Sequence, residues 1–357
     1  MGALLGACGS ATHDAGDAQG TAPAELGQAH QGIIGGALDE ATSGVVGLAL
    51  DLGRSVVAGH CSGTLIAPNL VLTARHCVAF TNDSDPDGAV HCDETRFNDP
   101  LPARLILASP EPVRPLDPEH PSYVRGREVR TLGAEQVCGF DIALIILEGD
   151  GIPSTRPIEP RLEIAPADDE PFSTVGYGLT DPDDPSSDGT RQRLDGSAVR
   201  CSRDDCVTLS DGAIRNSEWA SVNAPICSGD SGGPALDDLG RVFGVASRGD
   251  LDCEIAVYGD VSSWAPFIAD TALEAAEAGG YAPPLWATTL GSSEVSAAET
   301  SDVASALESS SPSSGSTSGG CQLPRPGARV PFGGSSLAAL VVGSLAWIQR
   351  RRRRARA

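Results

Sequence analysis

Four short segments carry residue types that can do covalent chemistry. They are Ile33-Ile34-Gly35-Gly36, Leu72-Thr73-Ala74-Arg75-His76-Cys77, Asp141-Ile142-Ala143-Leu144 and Gly229-Asp230-Ser231-Gly232-Gly233-Pro234. A serine hydroxyl is a weak nucleophile near neutral pH and needs a base in hydrogen-bond reach to take its proton. Taken singly, each segment has a plainer reading. A histidine beside a cysteine at a strand end packs in a core, and an aspartate ahead of an apolar strand closes a turn. A second chemistry is offered by Asp83-Ser84-Asp85-Pro86-Asp87-Gly88 followed by Glu94. Asp83, Asp85, Asp87 and Glu94 stand at the spacing of a calcium loop, whose carboxylates alternate around one cation. Pro86 is unusual in such a loop, and a solvated turn is the competing reading. The stretch Asp181 to Asp188 has no ligand spacing and reads as a solvated loop. No Cys-x-x-Cys pair and no His-Glu-x-x-His helix occurs, so zinc has little support.

The chain that must position these groups has 357 residues, enough for two ordinary domains or one large one with tails. It can bury a full core without relying on disulfides to fold. Its 48 acidic residues against 25 basic ones give a net charge of −23. Every basic residue is Arg, and eight of them follow residue 320, where there is no acid. Between Ile33 and Gly320 the net charge is −28. So acidic a body is repelled by phosphate backbones, which argues against nucleic acid as a partner. It also argues against electrostatic attraction to anionic lipid. Ten Cys point to an oxidising compartment unless they hold a metal.

The two ends read as processing and attachment segments. Within residues 1–32, Leu5-Gly6-Ala7-Cys8 resembles a bacterial lipobox, but the apolar run before Cys8 is short and lacks a basic region. Either a start lies upstream or the match is chance. Residues 9–31 carry almost no large apolar side chain and read as a flexible pro-segment. Residues 279–320 shift to Ser, Gly, Thr, Pro and Glu, a disordered linker composition. Residues 321–357 hold Cys321, the apolar run Phe332 to Ile348, expected as a short helix, and Arg350 to Arg354 with Arg356. The run is at the short limit for a membrane span, and the Arg cluster would hold its end in the cytoplasm. This tail resembles the C-terminal sorting tail of myxobacterial surface proteins. The alternative is a plain tail anchor. Either one places the body outside the cytoplasm, secreted or at the surface of a bacterium, with the membrane reached through the tail, permanently or until the tail is removed.

Residues 33–278 read as the folded domain. Its apolar segments are short and β-branched: Val45–Leu52, Ser62–Ala67, Leu70–Thr73, Leu105–Ala108, Ile142–Leu147, Thr174–Tyr177 and Val242–Ala246. Gly, Pro and Asp clusters separate them, which predicts an all-β sandwich or barrel. One helical spacing, Ser262 to Ala278, ends at Gly279 as a stop signal.

The order and spacing of the four opening segments resemble the chymotrypsin-like (trypsin-fold) serine endopeptidases over roughly residues 33–270. The resemblance implies two six-stranded antiparallel β-barrels with a C-terminal helix, joined near residues 150–170. It implies Ser231 as nucleophile, His76 as base and Asp141 as the group that orients it, with no cofactor required for catalysis; the candidate Ca²⁺ would be structural. The peptide N–H groups of Gly229 and Ser231 would form the oxyanion hole. Ile33 and Asp230 would form the activation ion pair after a cut between Gly32 and Ile33. That cut needs an activating protease, and because Gly32 precedes it a trypsin-like activator is not implied. The implied disulfides are Cys61–Cys77 and Cys227–Cys253. With Cys8 and Cys321 set aside as processing-signal residues, Cys201 with Cys206 would close a small local loop and leave Cys92 with Cys138, but the pairing of these four is not readable from sequence.

Substrates would be proteins or peptides. The position six before the nucleophile, at the pocket base, is Pro225, followed by Ile226. Ser247, Gly249 and Ala256 match the pocket walls. With no acid at the base, the expected P1 residue is apolar or small. Two residues depart from the pattern. Arg75 replaces a small residue and is expected to reach solvent by its long stem. Arg248 replaces a large aromatic and is expected to favour acidic substrate residues. A non-proteolytic surface binding module on the same fold is the rival function, against which the complete set of motif residues argues.

Overall fold

The computed structural model describes residues 32–53, 56–82, 90–181, 184, 186–203, 205–206, 214–224, 226–249 and 256–289. Residues 1–31, the tail from 290, Asp83, Asp85, Asp87, Pro225 and Cys253 lie outside the described residues.

A two-residue strand, β1 (Ala37–Leu38), comes first. The aliphatic runs then form β2 (Val45–Leu50), β3 (Ala58–Ala67), β4 (Leu70–Thr73), β5 (Ile106–Ser109), β6 (Val124–Thr131) and β7 (Ala143–Leu147). Every residue of β2, β4, β5 and β7 is buried. These six strands close into a barrel in the order β2-β3-β4-β7-β6-β5, antiparallel throughout. Closure removes the free edges that an open sheet would expose.

The second barrel uses β8 (Pro171–Gly176), β9 (Gln192–Ser202), β10 (Glu218–Val222), β11 (Pro234–Leu236), β12 (Val242–Gly249) and β13 (Ala256–Asp260). Their order is β9-β10-β13-β12-β11-β8, closed by the β8–β9 pairing. β1 adds to the outside edge of β9 with Ala37 opposite Arg193 and Leu38 opposite Gln192. The fold is therefore the expected pair of six-stranded barrels, with the crossover between the end of β7 at Leu147 and the start of β8 at Pro171.

One apolar cluster runs from Leu48, Leu65 and Leu144 of the first barrel to Val175, Tyr177 and Val245 of the second. A second cluster fills the other barrel, where Trp219 stacks on Phe243 at 5.3 Å and on Tyr258 at 4.4 Å. Arg191, 1 % exposed, ties the barrels together. Its Nη1 donates to the carbonyls of Val45 (3.0 Å) and Pro110 (2.9 Å) and to the Tyr177 hydroxyl (3.0 Å). A buried guanidinium is tolerated because its donors are spent in this way.

The helix begins later than its spacing suggests. Asp260 accepts the Ser262 N–H at 2.9 Å and caps a 3₁₀ turn, Val261–Trp264. The α-helix α1 then spans Ala265–Gly279, with Pro266 in its first turn, where a missing N–H costs nothing. Gly280, at φ +69°, ends it one residue beyond the expected stop. Ile268, Ala272 and Ala275 pack into the first cluster. Among the described residues no helix is long and apolar enough to cross a membrane.

Candidate active site

Strand register brings the imidazole and the carboxylate together. β4 pairs with β7 so that Thr73 lies opposite Ala143. His76 sits in the 3₁₀ turn Arg75–Cys77 just after β4, and Asp141 sits just before β7. Asp141 Oδ1 accepts the His76 backbone N–H at 2.9 Å, and Oδ2 lies 2.8 Å from His76 Nδ1. The Ser247 hydroxyl donates to the same Oδ2 at 2.7 Å. The Asp141 side chain is 1 % exposed and that of His76 27 %. Burial pushes the Asp141 pKa up, but the facing His76 charge and the three hydrogen bonds outweigh it and hold the carboxyl below its usual range. Burial pushes the His76 pKa down, Asp141 more than offsets this, Arg248 opposes Asp141, and the balance is a raised pKa.

The Ser231 loop is stitched to the same strands. Ser62 of β3 donates its N–H to the Ser231 carbonyl (2.8 Å) and its hydroxyl to the Gly229 carbonyl (2.9 Å). Gly232, at φ +82°, presses on Thr73 and Ser62 so closely that a Cβ would overlap both. That contact sets the loop beside the end of β4, one turn from His76. The N–H groups of Asp230, Gly232 and Gly233 are spent on the carbonyls of Cys227, Ala246 and Asp230. Those of Gly229 and Ser231 donate to no acceptor among the described residues. Gly229 adopts φ +102°, a conformation that a side chain would strain. The arrangement offers a hydroxyl, a base held from behind by a carboxylate, and two unspent donors in one loop. Those are the parts needed for acyl transfer.

Asp230 is fully buried. Its carboxylate accepts N–H groups of Gly178 (2.7 Å) and Cys227 (2.9 Å), and no cation among the described residues pairs with it. Desolvation lifts its pKa to about 7 despite those bonds. Ile33, also buried, lies in a single helical turn, Gly32–Gly35, against β8 and β9. The raised pKa means that between about pH 4 and 7 the folded chain keeps a proton the unfolded chain has lost, so stability falls as pH rises. The loss is on the order of 4 kcal/mol. Asp230→Asn in the uncut chain should remove this part of the pH dependence. Urea midpoints measured from pH 4 to 8 check it, and an unchanged slope would contradict it.

Cys61 is bonded to Cys77, Cys92 to Cys138 and Cys201 to Cys206. Cys227 is also disulfide-bonded. The first bridge anchors the His76 turn to β3. Cys61, Cys77 and His76 lie close enough to suggest a metal site, but both sulfurs are consumed in the disulfide. Glu94 is exposed in a turn closed by its N–H on the His91 carbonyl. Of the pocket residues, Ile226 and Ala256 are buried in the Trp219 cluster, Ser247 is turned onto Asp141, and Gly249 is exposed.

Two expectations need correction. Arg75 does not reach solvent. It is 6 % exposed, donates to the Leu132 carbonyl (2.8 Å) and to that of Ala134, and lies 4.3 Å from the Phe97 ring centre. Two backbone carbonyls take up Nη1 and a ring face lies against the charge, while Nε is buried without a partner among the described residues. Arg248 is not a free cation awaiting an acidic substrate. Its guanidinium is bidentate to Glu218, at 2.6 and 3.0 Å. Glu218 escaped the sequence reading because it stands 30 residues before its partner with no local motif around it.

Two closed barrels with this site between them are the architecture of the trypsin-fold serine endopeptidases, a class of hydrolases. A family model described as Trypsin matches residues 33–268, and the chain belongs to that family. It is 28 % identical over 203 residues to Scolexin B of Heliothis virescens, covering 53 % of this chain and 65 % of that protein. It is 31 % identical over 207 residues to the cercarial protease of Schistosoma mansoni, covering 53 % and 70 %. A trypsin of Saccharopolyspora erythraea is 26 % identical over 204 residues, covering 53 % and 75 %.

Proposed function

We propose that the chain hydrolyses peptide bonds through an acyl-enzyme on Ser231. Ser231 Oγ attacks the scissile carbonyl carbon as His76 Nε2 takes its proton. The Gly229 and Ser231 N–H groups receive the oxyanion. The tetrahedral intermediate collapses as His76 gives the proton to the leaving amine, and water repeats the sequence to free the acid. Asp141 holds the imidazole with Nδ1 inward and bears against its positive charge. The observation that carries this reading is the engagement of Asp141 by the His76 backbone, the His76 ring at Nδ1 and Ser247, which leaves Nε2 as the ring nitrogen that can take the proton.

The chain is made as a zymogen cut between Gly32 and Ile33 by another protease. The uncompensated Asp230 carboxylate supports this, because a new α-amine at Ile33 would neutralise it. P1 is apolar or small. The packing of Ile226 and Ala256 against Trp219, Phe243 and Tyr258 supports an uncharged pocket floor. The natural substrate is a protein or peptide outside the cytoplasm, where the disulfides persist. The C-terminal tail attaches the enzyme to the membrane, permanently or until it is processed. A calcium ion on Asp83, Asp85, Asp87 and Glu94 is structural if present.

A fluorophosphonate probe should label the cut protein at Ser231, and the label should vanish in Ser231→Ala. The cut enzyme, before any label is added, should turn over peptide esters with Ala, Val, Leu or Phe at P1 in preference to Arg. An unlabelled protein would favour a binding module, and a preference for Arg would refute the pocket assignment.

A further inference from the structure

The geometry points to the Arg248–Glu218 pair as a positioning unit. It locks the loop that carries Asp141 to the strand that carries Ser247, and so fixes the orientation of His76. This rests on the endopeptidase reading and adds two residues to it, neither of which touches the reacting atoms.

Glu218 opens β10, and its side chain is 2 % exposed. Four donors converge on its carboxylate. Oε1 accepts the Gly139 N–H (2.7 Å) and Arg248 Nη1 (2.6 Å), and Oε2 accepts the Arg215 N–H (2.9 Å) and Arg248 Nη2 (3.0 Å). Gly139 stands two residues before Asp141. Arg248 follows Ser247, whose hydroxyl donates to Asp141, and its Nη1 is 3.4 Å from that hydroxyl. The contacts therefore close a ring: Asp141, Gly139, Glu218, Arg248, Ser247 and back to Asp141.

β10 and β12 are already joined through β13, so the ring's added role is to hold the loop that carries Asp141 to them. A cavity of about 550 Å³ opens between Phe140 on one side and Arg215 and Asn216 on the other. Across it the loops are held by polar contacts, Glu218 on both N–H groups and Ser217 Oγ on the Gly139 carbonyl at 2.7 Å. Bidentate charge-assisted bonds fix direction as well as distance. Removing one partner leaves the other charge buried and unpaired, which drives the loops apart. The charged groups facing His76 are Asp141 and Arg248, and Arg75 and Glu135 complete the local field, through Asp141 and Arg75 respectively.

The test compares Arg248→Met, Arg248→Lys, Glu218→Gln and the Met/Gln double variant in the cut enzyme. Arg248→Met should lower kcat on the order of 10²-fold, the usual result of misplacing a catalytic group by an ångström, with KM little changed. The acid limb of the kcat/KM profile should move to higher pH, because a cation facing His76 is gone. Arg248→Lys should keep the wild-type limb and lose less rate. The double variant should be no worse than the poorer single one, as expected of a unit. Additive single effects, an unmoved limb in Arg248→Met, or a change in KM alone would overturn the proposal. If Arg248→Met does not fold, Glu218→Gln and Arg248→Lys carry the same comparison. NMR titration of the His76 imidazole reads the same shift without turnover, so the proposal is judged even if the probe fails to label wild type, a result that sinks only the endopeptidase reading.

Discussion

Asp141→Asn should lower kcat/KM by about 10⁴-fold near neutral pH, the size this change has elsewhere in the family, with little loss of fold. The reason lies in which oxygen does what. Oδ1 accepts the His76 backbone N–H, so the amide oxygen of Asn must go there. The NH₂ then takes the place of Oδ2 and faces His76 Nδ1 and Ser247 Oγ. An amide N–H cannot accept, so Nδ1 is forced to be the acceptor and the ring proton moves to Nε2. That tautomer cannot take a proton from Ser231. The Ser247 hydroxyl can reverse its direction, so the packing survives. Steady-state kinetics and the rate of fluorophosphonate labelling should fall together, and the imidazole nitrogen shifts should report the exchanged tautomer. A loss smaller than tenfold would mean that Asp141 does not orient the base.

Cutting between Gly32 and Ile33 should raise kcat/KM by about 10²- to 10⁴-fold, the equivalent of the roughly 3–5 kcal/mol that separates a paired from an unpaired buried charge. Before the cut, Asp230 is a buried carboxyl with two N–H partners and no cation, and its pKa is pushed up to about 7. Its neighbours, Gly229 and Ser231, are the proposed oxyanion donors, so an unsettled Asp230 unsettles the hole. A chain carrying an engineered cleavage site ending at residue 32 allows a clean comparison, with intact mass confirming Ile33 as the new first residue. Full activity in the uncut chain would end the zymogen proposal.

The strands that read directly from sequence are those buried along their whole length, such as β4 and β7, because a run of aliphatic residues needs no partner to be recognised. β6, β9 and β10 carry Arg, Asp, Glu and Ser among their apolar residues, and their strand character comes from the neighbours they pair with. The four site segments were legible because each is a local string. What joins them is not local. Ser247 was visible as a pocket wall but not as a donor to Asp141, 106 residues away. Arg75 was misread for a physical reason: a long stem fits either snorkelling to water or a buried fork on carbonyls, and only the position of Leu132 and Ala134 decides between them. Arg191 and Glu218 give no sequence signal, since a buried charge looks like a surface one until its partners are placed.

The two-residue strand β1 has a consequence for a dilute enzyme. Pairing with β9 pins Ala37, so an amine freed at Ile33 hangs on a leash of four residues, roughly 14 Å at full stretch. A tether this short would present the amine to the proposed Asp230 partner at an effective concentration on the order of millimolar or higher, whatever the concentration of the protein itself. If the proposed cut occurs, pairing of that amine with Asp230 would be a unimolecular event, independent of how dilute the protein is.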